Sequence, residues 1–139
     1  MKKKILLVDD NAQFRSIIAE ILKEDDEGFS VSVAEDGVTA LESLENEQFD
    51  MLITDINMPH MDGIALFHKV RELYPQLPVV FISGLVHNTL SNRLLSEGAF
   101  HVFRKPFDLK LFISVIKHGL ENKQPQSKSD QSEVTTCSQ

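Results

Sequence analysis

Three aspartates in this chain of 139 residues directly follow apolar runs of strand length. Asp9 and Asp10 follow residues 5–8, and Asp55 follows residues 51–54. If folding brings these ends together, the carboxylates repel one another and one or more would take up a proton, unless a cation lies between them. Carboxylate oxygens suit a hard ion, and a small cluster completed by water and a phosphate oxygen suits Mg²⁺. We therefore predict a magnesium site.

Two further polar residues, Ser83 and Lys105, stand at the ends of the apolar runs 78–82 and 100–104. A carboxylate, a cation, a hydroxyl and an ammonium together suit transfer of a phosphoryl group onto the carboxylate, because metal and lysine stabilise the charge on its equatorial oxygens. Taken singly, an aspartate after a strand is more often a turn former or a helix cap. The joint arrangement favours Asp55 as the nucleophile, with Asp9 and Asp10 holding the metal.

The elements that must position these residues alternate between strand and helix. Apolar runs of strand length cover residues 5–8, 29–34, 51–54, 78–82 and 100–104. Helical periodicity is clear in two segments and weaker in residues 37–45, 64–74 and 88–97. The two clear stripes comprise Phe14, Ile17, Ile18, Ile21 and Leu22, and Leu109, Phe112, Ile113, Ile116 and Leu120.

Strands separated by helices predict right-handed crossovers and a parallel sheet covered on both faces. The first, third and fourth strands are continuous apolar runs, as buried strands are, whereas residues 29–34 alternate and predict an edge strand. We therefore predict an α/β, doubly wound, five-stranded parallel sheet of the flavodoxin-like (βα)5 type, with strand order 2-1-3-4-5. Strands 1 and 3 then lie side by side, and ligands bind where the strand order reverses, which is where the aspartates end these strands.

Composition restricts the class of protein. The net charge of −7 argues against direct nucleic-acid binding. A content of 42% hydrophobic and 25% charged residues is typical of a globular domain. No apolar run in the sequence is long enough to cross a membrane. The single cysteine, Cys137, excludes an intrachain disulfide and favours a cytoplasmic location. Residues 1–121 are predicted to form one domain, and the polar residues 122–139 a disordered tail.

Several spaced motifs together resemble the receiver domains of two-component response regulators, over about residues 3–121. These motifs are Asp9-Asp10, Asp55 followed by Met58-Pro59 and Asp62-Gly63, Ser83-Gly84, and Lys105-Pro106-Phe107. The resemblance also implies that Met58, Pro59 and Gly63 shape the loop after strand 3 so that Asp55 stays exposed at the rim.

This resemblance assigns roles to individual residues. Asp55 would accept a phosphoryl group from a histidine of a sensor kinase or a phosphotransfer protein. Mg²⁺ would be held by Asp10, Asp55 and the backbone carbonyl of Asn57, with Asp9 acting mainly through water. The resemblance also implies that Ser83 and Lys105 contact the phosphoryl oxygens.

Three positions bear on how the signal is switched and how long it lasts. Receiver domains usually carry Tyr or Phe three residues before the lysine, where this chain has Val102. Strand alternation predicts that Phe100 shares the face of Val102 and that Phe103 points the opposite way, so neither replaces the missing ring. Asn57 and Leu85 would flank the path of attacking water, and we expect the bulk of Leu85 to slow hydrolysis.

The five histidines show no spacing typical of a metal site and are expected to be scattered surface residues. His60 is the exception, because it lies in the loop beside Asp55, where its titration could alter the local field.

The leading hypothesis is a phosphorylation-controlled binding module that catalyses only its own phosphorylation and dephosphorylation. A downstream protein would read the surface formed by helix 4, strand 5 and helix 5, and a phosphorylation-dependent dimer is left open. The alternative is a Mg²⁺-dependent phosphatase resembling haloacid-dehalogenase enzymes, although those have a second aspartate two residues after the nucleophile, where this chain has Asn57. A receiver-like scaffold is a third option, which an intact Asp55 and Lys105 disfavour.

Overall fold

The computed structural model describes residues 2–25, 28–84 and 86–121. Strands and helices alternate along the chain as predicted. They are β1 (Lys4–Val8), α1 (Ala12–Lys23), β2 (Ser30–Ala34), α2 (Gly37–Asn46), β3 (Met51–Asp55), α3 (Gly63–Leu73), β4 (Val79–Ser83), α4 (Asn88–Ser96), β5 (His101–Arg104) and α5 (Leu109–Glu121). The predicted disordered tail lies outside the described residues.

All five strands form one parallel sheet in the order β2-β1-β3-β4-β5, which confirms the predicted topology. Every residue of β3 and β4 is buried, whereas β2, at an edge, exposes Val33. β3 extends one residue further than predicted and includes Asp55, while β4 covers residues 79–83 rather than 78–82. Pro78 has no N–H to donate and contributes only its carbonyl, which accepts from Leu52 N at 2.9 Å.

The sheet separates two apolar layers. On one face, residues of α2, α3 and α4 such as Leu44, Leu66 and Leu94 form the first core cluster. On the other, residues of α1 and α5 such as Ile18 and Phe112 form the second core cluster. Alternate strand residues therefore enter opposite layers, as the pleat requires.

The two predicted helical stripes are only partly covered by the sheet. Ile18 and Leu22 of α1 are buried, and so are Phe112, Ile116 and Leu120 of α5. Ile17 and Leu109 are 57% and 45% exposed. With Phe14, Ile21 and Phe107 they line an apolar hollow between α1 and the start of α5.

The expectation that Phe100 shares a strand face with Val102 is wrong. Val102 packs against the first core cluster, whereas Phe100 packs with Phe103 against the second. β5 begins at His101, so Phe100 precedes the strand and the two-residue alternation does not extend to it.

Caps fix where the helices nearest the site begin. Asn11 Oδ1 accepts from Phe14 N at 3.0 Å, Asp36 Oδ1 from Thr39 N at 2.8 Å, and Asp62 Oδ1 from Ala65 N at 2.8 Å. Each side chain satisfies an N–H that has no partner within its own helix. Within the described ranges, none of the helices has the length and apolar character to cross a bilayer.

Candidate functional site

The carboxyl ends of β1 and β3 bring three aspartates together, as the topology predicted. One carboxylate oxygen from each of Asp9, Asp10 and Asp55 lies within 4.8 Å of the others. Asp9 and Asp55 are buried, and Asp10 is exposed to solvent. An all-oxygen set of this charge, open to water on one side, fits a hard divalent cation such as Mg²⁺.

Asp55 is held by the backbone of its own loop. Its Oδ1 accepts from Ile56 N at 2.6 Å and from Asn57 N at 3.4 Å. Its side chain is only 11% exposed. The carboxylate is therefore more enclosed than we expected for a residue at the rim of the sheet. Oδ2 faces the ammonium of Lys105 at 3.8 Å.

Gly63 allows the loop after β3 to close tightly over Asp55. Its N–H donates to Ile56 O at 2.7 Å. A Cβ at this position would lie 2.9 Å from Ile56 Cα and would clash with the carbonyl oxygen of Asp55. The glycine is therefore required by close backbone approach, which is a more specific role than shaping the loop.

Asp9 is fixed mainly through backbone contacts. Its Oδ1 accepts from Asn11 N at 2.8 Å, and its carbonyl oxygen accepts from Arg15 Nη1 at 2.7 Å. Its N–H donates to Ala34 O at 3.1 Å, continuing the pairing of β1 with β2. One carboxylate of the cluster is thus oriented before any ligand binds.

The pKa of Asp55 is raised above its usual value, first by burial and then by the charge of Asp9. The ammonium of Lys105 and the N–H groups of Ile56 and Asn57 oppose this shift without cancelling it. A carboxylate that resists ionisation here gains from any further positive charge. The electrostatics therefore also favour a cation at this cluster.

Lys105 lies where three features meet. Its Nζ is 3.5 Å from Asp9 Oδ2, 3.8 Å from Asp55 Oδ2 and 4.0 Å from the centroid of the Phe14 ring. Its backbone N–H donates to Ser83 O at 2.9 Å, and the Lys105–Pro106 peptide bond is cis. Both carboxylate distances are at or beyond the limit for a hydrogen bond.

The remaining predicted site residues differ in how far they are buried. Ser83 ends β4 and is 1% exposed, and Asn57 is exposed in the loop after Asp55. Val102 is partly buried and pairs in register with Phe81. Leu85 lies outside the described residues.

His60 contacts a partner that sequence reasoning missed. It has a positive φ of 69°, and its Nδ1 lies 2.8 Å from Asp36 Oδ2. The backbone N–H of Thr39 and the His60 ring lower the pKa of Asp36 to about 2. An aspartate directly before a helical run is a cap signature that could have revealed Asp36, but nothing local indicated its contact with His60.

Comparison with known proteins identifies the family. The family described as "Response regulator receiver domain" matches residues 5–117. The chain belongs to this family. Over 118 residues it is 34% identical to the response regulator receiver protein CpdR of Brucella abortus, covering 85% of this chain and 97% of that protein.

Two further relatives show the range of the family. The chain is 34% identical over 128 residues to the DNA-binding transcriptional regulator NtrC of Proteus hauseri, covering 89% of this chain but only 27% of that protein. A CheY-like receiver domain from Methanospirillum hungatei superimposes with a TM-score of 0.81 at 29% identity, covering 88% and 97% of the two chains.

The receiver assignment supports the leading hypothesis drawn from the sequence over the phosphatase alternative. The chain is a receiver domain of the kind found in two-component response regulators, and its fold agrees with that of solved receiver domains. These matches give no support to the phosphatase alternative.

Proposed function

We propose that Asp55 is the phosphoacceptor of this receiver domain, in a Mg²⁺-dependent reaction with a phosphohistidine of a sensor kinase or phosphotransfer protein. The observation that carries the proposal is the position of the enclosed Asp55 carboxylate between two other aspartates and the Lys105 ammonium. This arrangement matches the needs of phosphoryl transfer, which depends on positioning and on charge stabilisation.

The chain's own residues supply most of the reaction. Asp55 Oδ1 accepts two backbone N–H groups, so we assign Oδ2, which faces Lys105, as the attacking oxygen. Oδ2 forms a bond to phosphorus as the bond from phosphorus to the donor nitrogen breaks, and the leaving imidazole keeps that electron pair. Lys105 and Ser83 then contact the phosphoryl oxygens.

Asp10, Asp55 and the Asn57 carbonyl would hold Mg²⁺, with Asp9 acting mainly through water. When bound, the ion neutralises carboxylate repulsion and the charge that develops on the phosphoryl oxygens. Its ligands would come from the segment after β1, from β3 and from the loop after β3, so the site requires the folded sheet.

Phosphorylation would change the surface formed by α4, β5 and α5, which a downstream protein would read, and could drive dimerisation. Because Val102 has no ring, we expect loop 83–86 to move without a buried aromatic following it. Structures with and without a phosphoryl mimic test this, and an unmoved loop would contradict it. The cytoplasmic location expected from composition stays a prediction.

Incubation with Mg²⁺ and a small acyl-phosphate donor, followed by intact-mass measurement, tests the phosphoacceptor. Wild type should gain one phosphate and stop, whereas Asp55→Asn should gain none. Glu42→Gln, which removes an exposed carboxylate of α2, is the matched control and should label like wild type. Labelling of Asp55→Asn at the wild-type rate, or steady turnover of a phosphomonoester, would refute the proposal.

A further inference from the structure

The Lys105 ammonium contacts an aromatic ring to which neither the resemblance nor the charge pattern gives a role at the site. Its Nζ lies 4.0 Å from the centroid of the Phe14 ring, in the first turn of α1. At this distance a cation is attracted to the negative face of an aromatic ring. Its distances to Asp9 and Asp55 are those of loose ion pairs.

The Phe14 ring is braced from two directions. The backbone N–H of Phe14 donates to Asn11 Oδ1 at 3.0 Å. The Phe14 ring stacks on the ring of Phe107, with the centroids 6.4 Å apart and an angle of 29° between the planes. Phe107 in turn lies 5.1 Å from Phe112, which is fully buried in the second core cluster. The ring face presented to Lys105 is therefore attached to the core.

We propose that Phe14 is a positioning residue for Lys105, holding the ammonium beside Asp55 by a cation–π contact. The inference rests on the proposed function, in which Lys105 contacts the transferred phosphoryl group. Without the ring, the flexible lysine stem can turn toward solvent or close onto Asp9, and the ammonium is then less often in place.

The geometry indicates that the Phe14 ring positions the Lys105 ammonium and does not compete with the phosphoryl group for it. The ammonium already lies 3.8 Å from Asp55 Oδ2 while it contacts the ring. A phosphoryl group bonded to Asp55 adds oxygens beyond the carboxylate, so these oxygens approach the ammonium. Lys105 can thus contact them without leaving Phe14, and the ring supports both the resting and the phosphorylated states.

The contact makes a prediction that a merely structural role does not. Phe14→Leu keeps an apolar side chain but has no ring face, whereas Phe14→Trp keeps the face that binds cations best. We expect the rate constant for labelling by an acyl phosphate to fall about fivefold in Phe14→Leu and to be retained in Phe14→Trp. Ile17→Ala, which changes an exposed residue of the same hollow, is the matched control and should keep the wild-type rate.

An NMR measurement on unphosphorylated protein tests the contact independently of Asp55. Protons held over a ring face are shifted upfield, so the ε-methylene signals of Lys105, assigned by their loss in Lys105→Arg, should be upfield in wild type and normal in Phe14→Leu. Normal Lys105 shifts in wild type, or equal labelling rates for Leu and Phe in folded proteins, would overturn the inference. If wild type fails to label but the upfield shift is present, the phosphoacceptor proposal fails and the contact stands.

Discussion

Replacing Asp55 by asparagine should stabilise the metal-free protein, although it removes the proposed phosphoacceptor. Three carboxylates each place an oxygen within 4.8 Å of the others, and burial together with the charge of Asp9 raises the pKa of Asp55. Asparagine has nearly the same shape and can still accept from Ile56 N. The variant therefore loses the repulsion and keeps the local hydrogen bond.

The magnitude follows from the distances. At an effective dielectric constant of about 20, two like charges no more than 4.8 Å apart repel by at least about 3 kcal/mol, and Lys105 at 3.8 Å attracts Asp55 by about 4 kcal/mol. Two repulsions against one attraction leave about 2 kcal/mol of net repulsion, and screening at the exposed Asp10 reduces this to about 1 kcal/mol. For a domain of this size, that corresponds to a rise in Tm of about 3–5 °C.

The effect has a defined dependence on pH. Because the pKa of Asp55 is raised by folding, the folded protein holds this proton more tightly than the unfolded chain. The penalty is absent below the usual carboxyl pKa of about 3.8 and grows as the pH rises through the folded-state pKa. The advantage of Asp55→Asn should be largest above the folded-state pKa of Asp55 and disappear in acid.

Magnesium should make the wild type more stable than Asp55→Asn. A ligand that binds only the folded state stabilises it by mass action, and the wild type offers one more charged oxygen ligand than the variant. Thermal melts in EDTA and in Mg²⁺ measure both effects, with Glu42→Gln as the control. A variant less stable than wild type in EDTA, or an equal gain of both proteins from Mg²⁺, would refute this reasoning.

Three further predictions address the loops around the site. Gly63→Ala should destabilise the fold by about 1–3 kcal/mol in urea melts, because its Cβ would meet the backbone of Asp55. Gly84→Ala should change little, because among the described residues, chain neighbours aside, no heavy atom lies within 4 Å of the added Cβ. The stabilising contribution of the Asp36 carboxylate is complete above about pH 4 and should be lost as the pH falls toward its folded-state pKa of about 2. In thermal melts across this acid range, Asp36→Asn should therefore lose less stability than wild type. Leu85→Ala should shorten the phosphorylated lifetime measured by mass after donor removal, and a longer lifetime would reverse the argument about water access.

The sheet was predictable because its signals are local and redundant. Continuous apolar runs in β3 and β4 predict burial, and alternation in β2 predicts an edge. Once the order is set, the carboxyl ends of β1 and β3 must be neighbours, so Asp9 and Asp55 converge without any knowledge of side-chain packing. Chemistry placed at strand ends is therefore visible in the sequence.

The side-chain contacts around the site were not predictable in the same way. His60 contacts Asp36 across 24 residues, and the Phe14 ring of α1 meets Lys105, which lies directly after β5. Such contacts depend on how loops and helices pack, which no periodicity encodes. The misplacement of Phe100 has the same origin, because alternation holds only inside a strand and β5 begins one residue later.

Lys105 connects the carboxylate cluster to the sheet and to the layer formed by α1 and α5. Its backbone bonds to the last carbonyl of β4, at Ser83, and its ammonium lies on the ring of Phe14. The rings of Phe107 and Phe112 continue that contact into the second core cluster. A shift of the Lys105 backbone would disturb β4, and a shift of its ammonium would disturb the contact with α1. Because position 102 has no ring, we expect coupling between the site and the fold to run through these contacts of Lys105.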